Sequence, residues 1–333
     1  MAVPSARGVT ARDDVRSRFE RFAAVEARGS SPAYEALALA VSRDDAALDL
    51  LAELPAAKRQ PNLLFGVLRW HGVPVDDPPA ALAWVRRNRT TVLDEVNARR
   101  TQTNEVGRCA LLLPALARVE PEPLALVEVG ASAGLCLLFD AWRYRYTGPG
   151  RDHVVGRRSV TGPVLECAVE GDVPLPERVP EIAWRVGLDL NPLDPARPEV
   201  RRWLECLVWP EHRERARILR AALAVACRTG VRVEAGDLVD DLPDLLRRVP
   251  RGLTPVVLHS AALVYLDEAR RRTFVELVGE LGALRIGLEA AHVLPGVSDR
   301  LPAGADASGR FVLTLDDDPL ALADPHGGRL TWL

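Results

Sequence analysis

The sequence predicts an α/β protein: a helical N-terminal domain over residues 1–120, then a mostly parallel seven-strand sheet domain over residues 121–333. Two observations carry this. Apolar residues recur at helical spacing before residue 120, and strand and helix signals alternate after it. Val15, Phe19, Phe22 and Ala23 open the helical series, residues 33–39 and 46–51 continue it, and residues 80–99 resume it after Pro61 and the Gly/Pro-rich stretch 72–79. Strands are expected at 124–129, 184–190, 231–234, 255–259, 284–288, 311–315 and 329–333, the last two as a candidate hairpin around residues 324–328. Helices are expected at 134–141, 198–207 with 211–226, 242–249 and 267–281. Such alternation makes a sheet covered on both faces, with ligands at the carboxyl ends of its strands.

The most informative run lies at the end of the first strand: Glu128-Val129-Gly130-Ala131-Ser132-Ala133-Gly134-Leu135. Small residues let a ligand approach the backbone, and a helix beginning there would offer free N–H groups. An acid two residues before the first glycine is typical of sites for S-adenosylmethionine (SAM), a zwitterion rather than a pyrophosphate. The dinucleotide fingerprint G-x-G-x-x-G fails at Ser132 and Leu135. The same residues also spell the G-x-S-x-G elbow of serine hydrolases, with Ser132 as nucleophile. That fold needs several strands before the elbow, where this sequence reads as helical. A tight packing turn without a ligand is the plainest alternative.

The other strand ends supply polar candidates. Asp189, in Gly187-Leu188-Asp189-Leu190-Asn191-Pro192, suits a ribose diol, because a carboxylate accepts two hydrogen bonds at once; Asn191 follows it. Asp237 with Leu238 follows the third strand, His259 and Ser260 end the fourth, and Glu289 ends the fifth with His292 beside it. His259 is the first candidate general base, Glu289 the second, since imidazole titrates near neutrality. A histidine hydrogen-bonded within the core is the competing reading. Asp189 lies some 55 residues past Gly134, and the intervening 142–182 reads as an insertion whose alternating Trp142, Tyr144 and Tyr146 with Arg143 and Arg145 suit an extended hairpin. The dense polar block holding Gln102, Thr103, Asn104 and Arg108 runs straight into the apolar Cys109-Ala110-Leu111. Placed over the glycine turn, it would hold a ligand carboxylate or a substrate; an interdomain polar joint is the alternative.

Composition narrows the class. A net charge of −3 argues against a nucleic-acid binder relying on bulk electrostatics. There is no 18-residue apolar run and no apolar leader, so a cytoplasmic protein without a membrane span is expected. Five scattered cysteines without a C-x-x-C pair read as buried reduced thiols, and no metal site is expected.

The blocks R-x-T-Q-T-N-E-x-G-R, V-E-V-G-A-S-A-G-L, G-L-D-L-N-P and V-V-L-H-S together resemble a bacterial family, domain of unknown function 2332, over almost the whole chain. The C-terminal part is similar to class I SAM-dependent methyltransferases, which have a Rossmann-like sheet. That likeness implies Glu128, Gly130, Ser132 and Gly134 around the methionine moiety, Asp189 at the ribose and Asp237 at the adenine. Ser132 departs from the usual central glycine. The expected function is SAM-dependent methyl transfer to a small-molecule substrate, with residues 142–182 and the helical domain as its lid. The alternatives are a non-catalytic SAM or nucleoside-binding module and a hydrolase using Ser132. Oligomeric state stays open.

Overall fold

In the computed structural model, which describes residues 10–102 and 104–333, the chain divides into two units. One takes the stretch before Asn104 together with Pro198–Arg217; the other takes Asn104–Arg197 and Ile218–Leu333. The first holds helices α1 (Ala11–Arg21), α2 (Pro32–Arg43), α3 (Asp45–Ala52), α4 (Pro61–Trp70), α5 (Pro78–Arg87) and α6 (Arg89–Ala98). Side-chain caps start several of them: Thr10 and Asp13 form a reciprocal capping box, and Ser31, Asp44 and Asp77 accept amides of α2, α3 and α5. Helix α7 (Arg108–Leu116) belongs to the second unit, whereas α8 (Pro198–Leu207) returns to the first. There Trp203 and Cys206 join Phe19, Phe22, Tyr34 and Phe65 in one core. Gly66 admits the Trp203 ring, since a Cβ there would stand 2.9 Å from Cη2. Every residue of α7 is buried and it packs on strands of the sheet, so the unit boundary falls at 103/104, not at the expected 120/121.

The second unit is built on β1 (Leu124–Val129), β2 (Arg143–Gly148), β3 (Arg151–Val155), β4 (Val164–Glu170), β5 (Ile182–Asp189), β6 (Val233–Ala235), β7 (Thr254–Ser260), β8 (Leu284–Ala290), β9 (Phe311–Leu315), β10 (Asp318–Ala323) and β11 (Arg329–Trp332). With them go α9 (Arg213–Thr229), whose first turn lies in the other unit, α10 (Leu242–Leu246) and α11 (Glu268–Glu280). Among the described residues the strands make one sheet, in the order β3-β2-β4-β11-β10-β9-β8-β7-β1-β5-β6. Six neighbouring pairs are parallel and four antiparallel. No described helix is long and apolar enough to cross a membrane.

The sheet corrects the expected seven strands. All seven form, and β2, β3, β4 and β10 add to them. The insertion is part of the same sheet: β2 and β3 pair as a hairpin, and β4 pairs with β2 and β11. Trp142, Tyr144 and Tyr146 turn inward and are fully buried, with the Tyr144 and Tyr146 hydroxyls donating to Phe139 O and Ala110 O at 2.8 Å each. The aromatic stripe is therefore core. The expected helix over 134–141 is also absent; two short 3₁₀ turns, Leu135–Leu137 and Phe139–Ala141, stand in its place. Residues 135–139 are all buried, so the stretch serves as core without forming an α-helix.

Five strands, β6-β5-β1-β7-β8, form an all-parallel block in which β1 is buried throughout. From β1 the chain builds β5 and β6 on one side, then returns to build β7 and β8 on the other. The strand order reverses between β1 and β7, which is where sheets of this kind hold their ligands.

Candidate functional site

Val129, the last residue of β1, lies opposite Leu188 of β5 and His259 of β7, so Asp189 and Ser260 sit level just beyond it. The turn after β1 is strained in a defined way. Gly130 has φ +70° and Gly134 φ +69°, and between them Ser132 takes φ 52°, a left-handed conformation unusual for a residue with a Cβ. The neighbouring turn after β7 repeats the feature at Ala261, also φ 52°. The two turns touch: a Cβ at Gly130 would stand 2.7 Å from the Ala262 Cβ. Paired left-handed residues at adjacent strand ends mark a place where packing over-determines the backbone, as functional sites often do.

The hydrogen bonds of this turn are complete. The Gly130 and Ala131 amides donate to Leu188 O at 2.8 and 3.3 Å, and the Gly134 amide donates to Ala131 O at 2.7 Å. The Ser132 amide donates to Asp189 Oδ2 at 2.8 Å, and the Ala133 amide to Asn104 Oδ1 at 2.9 Å. With every N–H of residues 130–134 used and no helix behind them, the turn offers nothing to a pyrophosphate. Asp189 Oδ1 accepts the Asn191 amide at 2.7 Å. The Asn104 side chain also donates from Nδ2 to Ser132 Oγ at 2.8 Å, so part of the polar block sits on the glycine turn. Arg108 donates from Nη1 to the carbonyl and hydroxyl of Ser260, each at 3.1 Å, and from Nε to Pro325 O at 2.9 Å. Gln102 lies in the helical unit, and Thr103 falls outside the described residues.

Glu128 stands out. It is 6 % exposed, and its Oε2 has no hydrogen-bond partner. Burial drives its pKa well above the ordinary carboxyl range; the Cys136 thiol and the Asp189 carboxylate push the same way against Arg108. Cys136 is itself held protonated by its hydrogen bond to Cys109 and by burial.

His259 and Glu289 are brought together, but inside the core. His259 is fully buried, with Nδ1 at 3.1 Å from Glu289 Oε1, Nε2 at 3.4 Å from Arg285 Nη1 and the Phe274 ring edge-on at 5.5 Å. Burial lowers its pKa more than Glu289 raises it, so the ring is neutral, and the pairing assigns its proton to Nδ1. Glu289 Oε1 also accepts the Ala262 and Leu263 amides at 2.8 and 3.1 Å. The pair thus holds the turn after β7 in place and has no surface from which to take a substrate proton. Asp237 is committed elsewhere: its Oδ1 accepts the Val239 and Asp240 amides at 2.8 and 3.1 Å and a bond from Arg270, next to half-buried Leu238. Burial raises its pKa, but these bonds outweigh it and keep Asp237 below the ordinary range. Ser132 has the backbone twist of a nucleophile elbow, but its Oγ is capped by Asn104 and only a short 3₁₀ turn follows, not an α-helix. Among the described residues no group of three His, Cys, Asp or Glu could hold a metal.

Ala262 and Pro325 joined the site without warning from the sequence. Ala262 is an apolar residue acting through its backbone, and Pro325 meets Arg108 across 217 residues of chain.

The sequence profile of uncharacterized proteins conserved in bacteria, domain of unknown function 2332, matches residues 16–332. The chain belongs to this family. The matched span holds the glycine turn, the polar block and all the strand ends, so the cluster lies wholly within what defines domain 2332. No protein of curated function and no solved structure gives a significant match.

Proposed function

We propose that the chain is a SAM-dependent methyltransferase acting on a small molecule, with SAM bound at the strand ends where β1 and β7 diverge. The observation that carries this is the buried Glu128 carboxyl with an unpartnered oxygen beside the Asp189 carboxylate. A buried polar atom without a partner is costly, and a ligand donor would relieve it. The cluster offers acceptors while its backbone donors are all used, which favours a ligand bearing hydroxyls and an ammonium over one led by phosphates. Asp189 suits a ribose diol: its backbone bonds fix the carboxylate, each oxygen keeps a second lone pair, and the residue is half-exposed. Asp237 fits an adenine amino group less well, since Arg270 already occupies it.

Bound SAM would supply an electrophilic methyl group. The chain's own contribution would be positional: Asp189 orients the ligand, Glu128 fixes its polar end, and the packed turns at Gly130 and Ala262 hold both strand ends in register. Orientation of this kind accounts for much of the rate gain open to a transfer reaction. Calorimetric titration of ligand-stripped protein with SAM and S-adenosylhomocysteine, repeated on Asp189→Ala, tests the reading. Micromolar binding lost in the variant supports it, and absence of binding to the wild type removes it.

A second reading, a SAM or nucleoside-binding module without turnover, is favoured by one observation: His259 and Glu289 are enclosed, which takes the expected base away from the site. Binding without methyl transfer across a panel of small-molecule nucleophiles would support it over the first.

A further inference from the structure

Glu128, Ser132 and Arg108 are each at most 6 % exposed, so a ligand reaches the unpartnered Glu128 Oε2 only if something covering it moves. Residues 104–107 cover the turn and belong to neither helix nor strand. They are held from below by the Asn104 amide and from above by the loop between β10 and β11. Three successive residues of that loop each grip a different part of the covering segment. Pro325 O accepts Arg108 Nε at 2.9 Å, His326 Nδ1 lies 4.0 Å from Glu105 Oε2, and Gly327 lies flat on Gly107. A Cβ at Gly327 would stand 2.9 Å from the Gly107 carbonyl carbon, and one at Gly107 would stand 3.1 Å from His326 O. Gly327 also takes φ +86°, a conformation reserved for glycine.

We propose that the β10–β11 loop is a latch on residues 104–108, and that its release opens the path to Glu128 and the glycine turn. The functional part of this inference rests on the reading of the cluster as a ligand site; the latch itself does not. Loop contacts of this kind, among them the Arg108–Pro325 hydrogen bond and the packing of Gly327 on Gly107, open locally while the strands stay formed.

Amide hydrogen exchange on the ligand-free full chain tests it. In His326→Ala and Gly327→Ala, exchange at residues 104–108 and at Ala133, whose amide is bonded to Asn104, is expected to rise about tenfold or more while β1 and β7 keep their protection. Unchanged protection of residues 104–108 in both variants overturns the latch. Loss of protection spreading through β1 and β7 in His326→Ala overturns it equally, because the loop would then be holding the sheet rather than the segment. Should Gly327→Ala fail to fold, His326→Ala decides by itself. The exchange is read without ligand, so it succeeds or fails independently of the SAM titration.

Discussion

Asp189 Oδ2 accepts the Ser132 amide at 2.8 Å, so the end of β5 holds the left-handed residue of the turn that follows β1. Such a residue costs about 1–2 kcal/mol in backbone strain, which a charged acceptor offsets. Asp189→Asn points an NH₂ at one of its two amide partners. The expected result is a loss of roughly 1–3 kcal/mol in urea unfolding together with loss of nucleoside binding. A variant as stable as wild type would mean the turn is held by something else.

Glu128 gives a pH signature. Its folded-state pKa lies above the ordinary value of 4.5, so above that pH the unfolded chain ionises first and stability falls as pH rises. Glu128→Gln removes the titration. Relative to that variant, the wild type should lose up to about 1.4 kcal/mol per pH unit from 4.5 upward until the folded carboxyl ionises. Parallel stability curves for the two proteins above pH 4.5 would contradict a buried neutral Glu128.

His259 has the opposite sign. Its folded-state pKa is depressed below 6.5, so its contribution is complete above that pH and is lost as pH falls, when only the unfolded chain takes up the proton. The advantage of wild type over His259→Leu should therefore shrink on acidification below 6.5, measured by denaturant midpoints. An advantage that grows instead would place a charged imidazole in the fold.

Gly287 lies between His259 and Thr314 across three adjacent strands. A Cβ there would stand 2.7 Å from His259 Cε1 and 2.8 Å from both His259 Nε2 and Thr314 Oγ1. Gly287→Ala should cost about 1–3 kcal/mol by overpacking, read as a lowered melting temperature. An unchanged Tm would show that the two side chains step aside freely.

Ser132 bears on the hydrolase alternative. Its side chain is buried and bonded to Asn104, so the native protein should resist a fluorophosphonate probe. Stoichiometric labelling, abolished by Ser132→Ala, would restore Ser132 as a nucleophile.

Much of the fold was legible in the sequence. The seven expected strands all form because their apolar runs are continuous or bounded by turn residues, and Asn104 reaches the glycine turn as its polar block suggested. Other features are hidden for physical reasons. β10 carries Pro319 and follows an acidic run, while β2 and β4 alternate buried with charged positions in a way that equally suits an exposed hairpin. Nothing local to residues 134–141 says that they form two short 3₁₀ turns instead of a helix. His259 reads as a base because its type suits one; its enclosure depends on Glu289, thirty residues on, and on Phe274.

The position of β11 bears on the order in which the chain assembles. It lies between β4 and β10, and Thr331, opposite Glu170, is separated from it by 161 residues. During synthesis the wing of β2, β3 and β4 emerges early, yet the strand that pairs it with the rest of the sheet is made much later. Until then β4 has one bare edge, a template for wrong pairing of the kind that burdens slow, long-range sheets. Four residues, Arg329–Trp332, close that gap.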